Sequence, residues 1–166
     1  MKMSGRRHES LIPLSREHQY ALMVCLRIHR GLPEHGGDLD WLKTRAANTV
    51  RFFDEDLAIH FQVEEQFLFP AMSELSGAPA IIESLLDEHR SLRRFAEQLR
   101  EGESGSYPGT LKEFADTLEA HIRKEERELF PIYEQHASAE VTSAVEQGIL
   151  SLIGTASQPK HPELLK

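Results

Sequence analysis

Cysteine is nearly absent from this chain, since Cys25 is the only one among 166 residues. A single cysteine excludes an intrachain disulfide and a zinc site built from several thiolates. The segment behind the basic pair Arg6 and Arg7 also lacks the continuous apolar stretch of a secretory signal. We therefore expect a cytoplasmic protein that folds without covalent cross-links.

Positive charge is in deficit, because 19 Lys and Arg stand against 27 Asp and Glu, for a formal net charge of −8. Such a chain repels phosphate backbones and anionic lipid surfaces alike. Long apolar runs are missing too, and none could span a bilayer. We therefore expect no nucleic-acid partner and no membrane partner, while the oligomeric state stays open.

Strand-like alternation is missing over any useful length, whereas apolar residues recur every three or four positions. With 40% hydrophobic residues among 166, the chain can bury the core of one domain. We predict a single all-α domain over residues 1–166. It is expected to be an up-down-up-down four-helix bundle at about 14–135, with a C-terminal extension at 136–166 that carries a short helix or tail.

Turn residues divide the bundle into four predicted helices. Ser15 is a candidate N-cap of the first helix, which is expected to end before Gly31 and a loop at residues 33–37. Pro70 and Pro131 are expected to end or kink the second and fourth helices. The predicted helices cover about residues 15–30, 38–69, 80–100 and 110–130, and a weaker fifth helix covers 139–153.

Histidines and glutamates interrupt the apolar stripe of each predicted helix. On the second helix His60 and Glu64 follow Leu57 at spacings of three and four, and the fourth helix repeats the pattern with His121 and Glu125. The first and third helices carry one early histidine each. The polar residues predicted to face the core are His18, His60, Glu64, His89, His121 and Glu125.

Two copies of one helical hairpin account for this recurrence. A shift of 61 residues aligns residues 53–70 with 114–131 and matches eight of eighteen positions, including both His-x-x-x-Glu-Glu groups and both Leu-Phe-Pro tails. A shift of 71 residues pairs residues 14–18 with 85–89, which share Leu, Glu and His. The match is imperfect, because the two histidines of a copy are 42 residues apart in the first and 32 in the second.

The hairpin arrangement predicts that the four histidines form one layer. Antiparallel neighbours place the start of one helix beside the end of the next. His18 and His89 lie near helix starts. His60 and His121 lie near helix ends, so all four side chains can meet at one level. Residues four apart are only about 40° apart around a helix, so the members of each His-x-x-x-Glu group can hold one ion.

Packing alone explains a lone buried histidine, because such residues are commonly hydrogen-bonded within a core. Four histidines at one level together with Glu64 and Glu125 are harder to explain. Each buried carboxylate carries a large desolvation cost unless it is paired or ligated, and no Lys or Arg lies near them on these stripes. A bound dication supplies the missing compensation.

Three further residues are expected outside this cluster. Glu65 and Glu126 lie about 140° around the helix from the histidine five positions earlier, so they are expected behind the ligands or at the surface. His29 returns to the face of His18 but about 16 Å along the axis, which is too far to join.

The whole pattern resembles the hemerythrin-like, or HHE cation-binding, family over about residues 14–133. It consists of one His on the first helix, His-x-x-x-Glu on the second, Glu-His on the third and His-x-x-x-Glu-Glu with Leu-Phe-Pro on the fourth. The resemblance implies two non-haem irons bridged by carboxylates. By position, it implies His18 and His60 on one iron, His89 and His121 on the other, and Glu64 and Glu125 as bridges.

Leu85 stands where the oxygen-carrying members of that family have a fifth histidine. Both metals would then keep open positions, so we expect a site that is more reactive, or holds metal more loosely, than a dedicated oxygen carrier. Imidazole with carboxylate suits iron, manganese or zinc. Two iron ions are the first expectation, and zinc or manganese is possible in a purified sample.

Three functions from different classes remain open. The leading one is a module that binds or senses a small ligand such as O2, NO or peroxide at the di-iron centre. The second is an enzyme that consumes peroxide or acts as an oxidase, although the sequence identifies no substrate pocket. The third is a store or donor of iron or zinc.

Overall fold

The computed structural model describes residues 6–154, and every regular element in that range is helical. The α-helices are α1 (Ile12–His35), α2 (Leu39–Phe52), α3 (Ala58–Val63), α4 (Phe69–Met72), α5 (Ala78–Glu101), α6 (Tyr107–Lys124), α7 (Phe130–His136) and α8 (Ala139–Leu152). π-helical turns join α2, α3 and α4 into one rod and α6 and α7 into another. The predicted all-α bundle is confirmed.

The prediction that Ser15 caps the first helix is wrong, because α1 begins one turn earlier, at Ile12. A short 3₁₀ turn, Glu9–Leu11, leads into the helix. At its start the Nδ1 atom of His8 accepts a hydrogen bond from the Ser10 N–H. The start of α1 is therefore set by residues that precede the predicted cap.

The end of α1 also lies further along the chain than predicted. The helix continues through Gly31 and Pro33 to His35, where a loop at residues 33–37 was expected. A Cβ atom at Gly31 would lie 2.1 Å from the ring of Trp41. Glycine therefore allows close packing between α1 and α2, and this packing outweighs the weak helix propensity of the two residues.

The rod formed by α2, α3 and α4, which corresponds to the second predicted helix, begins as predicted and ends later than predicted. Asp38 caps α2 by accepting hydrogen bonds from two backbone N–H groups of the first turn. Two π turns, Phe53–Leu57 and Glu64–Leu68, interrupt the α-helical bonding. Pro70 does not end the rod, which reaches Met72. The wider turn before the proline tolerates the ring and the missing N–H that would disrupt a regular helix.

The rod formed by α6 and α7, which corresponds to the fourth predicted helix, has the same π turn before its proline. The π turn Glu125–Leu129 precedes Pro131, and the helix continues to His136 instead of ending at the proline. Its start at Tyr107 lies three residues before the predicted one. Both prolines thus follow a π turn, which apolar periodicity alone does not predict.

Two apolar clusters lie at different levels of the bundle. The larger contains Ile28, Leu99 and Phe114 and fills the space between α1, α2, α5 and α6. The smaller contains Leu14 and Phe130 and lies toward the end at which the chain enters the bundle. No histidine or glutamate belongs to either cluster within residues 6–154.

The fifth helix, α8, falls within the span predicted for it and covers the smaller cluster through Val145 and Ile149. Gly148 lies against Phe67, where a Cβ atom would come within 2.2 Å of the ring. Glycine is therefore required for α8 to lie this close to the π turn that contains Phe67. Among residues 6–154, no helix is both long and apolar enough to cross a membrane.

Candidate metal centre

The four long helical segments bring all six residues predicted as ligands to one level of the bundle. These residues are His18 on α1, His60 on α3, His89 on α5, His121 on α6, and Glu64 and Glu125 at the first positions of two π turns. The most exposed of the six is 4% accessible, and both glutamates are completely buried. π turns are rare and occur often at functional sites.

Glu64 lies between one imidazole of each hairpin. Its Oε1 atom is 2.7 Å from His60 Nε2, and its Oε2 atom is 3.1 Å from His89 Nε2. The two oxygens of one carboxylate therefore face two different halves of the cluster.

Glu125 lies opposite, also between the hairpins. Its Oε2 atom is 3.0 Å from His18 Nε2 and 3.6 Å from His121 Nε2. Side-chain atoms of the cluster form two groups, in each of which they lie within 4.8 Å of one another: His18, His60, Glu64 and Glu125 in one, and Glu64, His89 and His121 in the other. Glu64 thus belongs to both groups.

Each imidazole also contacts a carboxylate through its outer nitrogen. The Nδ1 atom lies 2.7 to 2.9 Å from a glutamate oxygen in all four cases. The pairs are His18 with Glu126, His60 with Glu17, His89 with Glu65, and His121 with Glu88. An ionised carboxylate only accepts hydrogen bonds, so each Nδ1 must donate. Such contacts commonly fix the orientation and tautomer of histidines that bind metals.

When the four imidazoles are neutral, the inner surface of the cluster therefore consists of acceptors. When Nδ1 of a neutral imidazole carries the proton, Nε2 presents a lone pair. The Nε2 atoms of His18 and His60 lie 3.0 Å apart. Both oxygens of Glu64 and Glu125 and the Nε2 atoms of His89 and His121 make no hydrogen bond of good geometry within residues 6–154, although these atoms approach one another to about 3 Å. Facing lone pairs and buried carboxylates need a shared positive charge, and a metal ion fits this donor set.

Protons can supply part of that charge. Burial lowers the pKa of His60, but the carboxylates of Glu64 and Glu17 outweigh burial and raise it to about 10. Burial likewise opposes the charged form of His18, yet contacts with Glu125 and Glu126 hold its pKa well above the usual value. A metal ion entering this layer would therefore displace protons.

Four carboxylates, which we call the outer carboxylates, contact the Nδ1 atoms; two of them were expected behind the ligands or at the surface, and two were not predicted. Glu65 and Glu126 lie behind the ligands, one of the two locations predicted for them. Glu17 and Glu88 were not predicted as site residues, although they are equivalent positions in the internal repeat. Their place beside a histidine on a neighbouring helix is a property of helix packing.

Phenylalanine rings enclose part of the layer. Phe61 stacks on His89 with ring centres 3.7 Å apart, and Phe69 lies on the same imidazole at 5.7 Å. Phe130 stacks on His18 at 5.6 Å. His89 is completely buried as a result. The aromatic rings limit both the motion of these imidazoles and the access of water.

A small cavity of about 30 Å³ adjoins the layer. Its inner wall includes His18, His60 and His121, together with Ala21 and Leu118. His89 does not line it. The polar residues Arg16, Glu17 and Asp56 also line the cavity. A molecule of two or three atoms in this cavity would lie against three of the four histidines.

The residues expected outside the cluster do lie outside it. His29 Nε2 is 2.8 Å from Asp116, and neither residue belongs to the candidate metal groups.

Leu85 is completely buried in the smaller apolar cluster. Burial raises the pKa of the Cys25 thiol to about 12, which keeps it protonated and unreactive as a nucleophile.

Comparison with known proteins identifies the domain. The family model of the Hemerythrin HHE cation binding domain matches residues 13–133, so this chain belongs to that family. The family and the buried cluster together indicate metal binding.

A more distant similarity concerns part of a longer protein. The chain is 28% identical over 90 residues to a protein of Nostoc sp. described as a DNA nickase. The match covers 53% of this chain and 25% of that relative, so this chain spans about a quarter of the relative's length. No solved structure matches the chain.

Proposed function

We propose that this protein holds two iron ions in its polar layer and exposes them to a small ligand such as O2, NO or peroxide. The observation that carries the proposal is the buried layer of facing acceptors, whose carboxylate oxygens make no hydrogen bond of good geometry within residues 6–154. Protons on the Nε2 atoms can offset part of this negative charge in the metal-free chain, and a metal ion that displaces them would contact the carboxylate oxygens and the Nε2 atoms together. The proposed ligands are His18, His60, Glu64, His89, His121 and Glu125.

The two glutamates are proposed as the shared ligands. Glu64 faces His60 through one oxygen and His89 through the other, which supports one ion on each side of it. Imidazole and carboxylate without thiolate suit iron, manganese or zinc, and the family membership favours iron. Bound ferrous ions would supply electrons and open coordination positions to an incoming ligand.

The cavity supports a ligand of very small size. A water molecule needs roughly 10–15 Å³ of such space, so about 30 Å³ accommodates a ligand of two non-hydrogen atoms. Larger organic substrates do not fit beside the histidines. Leu118 and Phe61 make much of the wall apolar, which favours an uncharged or weakly hydrated ligand.

Peroxide consumption and metal storage are the alternatives at the same centre. The nicking of DNA described for the Nostoc relative is not proposed here, because the match covers a quarter of that protein and the net charge of −8 opposes binding to phosphates.

Metal analysis of protein purified without air tests the proposal. We expect two irons per chain, and optical spectra that change on addition of O2, peroxide or NO. The double variant His60→Ala, His121→Ala removes one imidazole from each proposed ion and is expected to lose both. His29→Ala is the matched control, since His29 pairs with Asp116 away from the layer. A double variant that retains two irons would refute the ligand assignment.

The spectra separate the alternatives. A reversible change on addition and removal of the ligand supports binding or sensing. Catalytic loss of peroxide with an intact iron content supports an enzyme. Iron that leaves readily to an acceptor protein, with no spectral response to any small ligand, supports a store or donor.

A further inference from the structure

The four outer carboxylates are not equally held. Three of them contact a cation as well as an imidazole: Glu65 lies 2.9 Å from Arg93, Glu88 contacts Lys124, and Glu126 contacts Arg7. Within residues 6–154, Glu17 has no cation partner other than His60. Its exposure, 23%, is similar to the 20% to 30% of the other three. His60 is therefore the one histidine whose outer contact has no second anchor.

The internal repeat shows where this anchor is missing. Lys124 follows His121 by three positions and binds both Glu88 and Ser84. The equivalent residue after His60 is Val63. Val63 is completely buried in the smaller apolar cluster, which α8 also covers. The first hairpin thus has a buried apolar residue where the second hairpin has the cation that contacts Glu88.

The cavity lies mostly on the same side of the layer. Both histidines of the first hairpin, His18 and His60, line it together with Glu17, whereas from the second hairpin His121 lines it and His89 and Glu88 do not. The repeat again explains the difference, because Ala21 on α1 is equivalent to Leu92 on α5. The small side chain leaves space beside His18, and the larger one fills the corresponding space beside His89.

We infer that the two metal positions differ in lability: the ion held by His18 and His60 exchanges through the cavity past Glu17, and the ion held by His89 and His121 stays. The inference rests on the proposed pair of metal ions. On the exchangeable side, His60 can move toward the cavity together with Glu17, because no other cation holds that carboxylate within residues 6–154. On the other side, His89 is stacked between two rings and the partner of His121 is fixed by Lys124.

Release of zinc to a chromogenic chelator tests this inference, because Zn²⁺ has no redox chemistry to complicate the release. The full chain is loaded with two equivalents of Zn²⁺ and mixed with excess chelator. We expect two phases of equal amplitude. Glu17→Gln keeps the shape of the side chain and removes its charge, and it is expected to speed the fast phase about tenfold, the lower end of the effect of such outer contacts. The slow phase is expected to keep its rate.

Matched variants test the metal position of His89 and His121 and the exit route through the cavity. Glu88→Gln and Lys124→Met are expected to speed the slow phase and leave the fast phase unchanged. Ala21→Leu introduces the residue of the second hairpin and is expected to slow the fast phase. Circular dichroism of each variant checks that the bundle is intact, and Glu17→Gln with Lys124→Met suffices if Ala21→Leu does not fold.

The outcomes distinguish this inference from the proposed function. Two zinc ions that leave in one phase would overturn the inference alone, as would a Glu17→Gln chain whose slow phase is accelerated instead of the fast one. A chain that binds fewer than two zinc ions would overturn the proposed pair of ions and the inference with it.

Discussion

The first hairpin (residues 12–72) and the second (residues 78–136) carry the same chemical groups in different packing. In each, two histidines and one inner glutamate face the layer, and a glutamate on a neighbouring helix contacts every imidazole. The surroundings differ at three equivalent pairs. These are Ala21 and Leu92, Phe61 and Ile122, and Val63 and Lys124. The repeat therefore preserves the pattern of proposed metal ligands. Access to each half of the layer, and the anchoring of its ligands, are set by the equivalent residues that differ between the two hairpins.

Removal of one inner carboxylate is expected to have the largest effect. Glu64 belongs to both candidate metal groups. Glu64→Ala should therefore lower the affinity for both ions, by more than the roughly 10–100-fold typical of residues behind the ligands. Glu125 faces His18 most closely, so Glu125→Ala should affect the ion of the first hairpin more. Zinc titration with a competing chelator measures both. Equal loss of both ions in the two variants would contradict the different roles of the glutamates.

Phe61 and Ile122 test the packing difference directly. Phe61 is completely buried and stacks on His89, so Phe61→Ala is expected to lower the free energy of unfolding of the metal-free chain by about 3–5 kcal/mol. Ile122→Ala removes less apolar volume and no ring stack, so we expect a smaller loss of about 2–3 kcal/mol. Urea unfolding followed by circular dichroism gives both values. A larger loss at Ile122 would show that the ring stack contributes little.

Metal affinity is expected to rise with pH because of the first hairpin. The pKa of His60 is raised to about 10 in the metal-free chain, so at neutral pH a metal ion must displace a proton from this imidazole. Affinity should therefore increase about tenfold per pH unit for each proton displaced, until the pH reaches the raised pKa. Zinc titration at several pH values measures the slope. A His60→Ala chain should show a shallower slope at its remaining site, and an unchanged slope would argue against His60 as a ligand.

The same pKa predicts the stability of the metal-free chain. Because the folded-state pKa of His60 lies above the ordinary histidine value of about 6.5, its contribution is fully present below that value and is lost as the pH rises toward about 10. The metal-free chain should thus become less stable between these values, as thermal unfolding can show. Zinc-loaded chain should show less of this loss, because the ion replaces the proton.

The smallest effect is expected at Ser15. Its hydroxyl donates a hydrogen bond to Glu126, 2.7 Å away, whereas the equivalent residue of the second hairpin is Leu86. Ser15→Ala should cost about 1 kcal/mol or less, measured by thermal unfolding of the zinc-loaded chain, because Arg7 still contacts the same carboxylate. A much larger loss would mean that Ser15, and not Arg7, positions Glu126.

Sequence periodicity was sufficient to predict which residues face the layer. The spacing of His60 and Glu64, and its repetition at His121 and Glu125, depends only on helix geometry and is visible without a structure. The roles of Glu17 and Glu88 depend on which neighbouring helix each residue faces, and periodicity within one helix carries no such information. The π turns could not be predicted from ideal α-helical geometry.

Helix ends were predicted less well for a related reason. Gly31 and Pro33 are weak helix formers, and on local propensity α1 should have ended before them. The ring of Trp41, which comes from the next helix, packs where a glycine Cβ would otherwise be. Packing against the next helix, which local propensity does not include, therefore accompanies the continuation of α1 past Gly31.

The polar layer between the two apolar clusters has a mechanical consequence. A continuous hydrophobic interior joins the two ends of an ordinary bundle, but here a plane of buried imidazoles and carboxylates separates the two apolar clusters. In the metal-free chain this plane holds buried polar groups in place of apolar contacts, and two π turns border it. Local opening of the bundle should begin at this plane, and a bound cation would suppress the opening by linking the four helices.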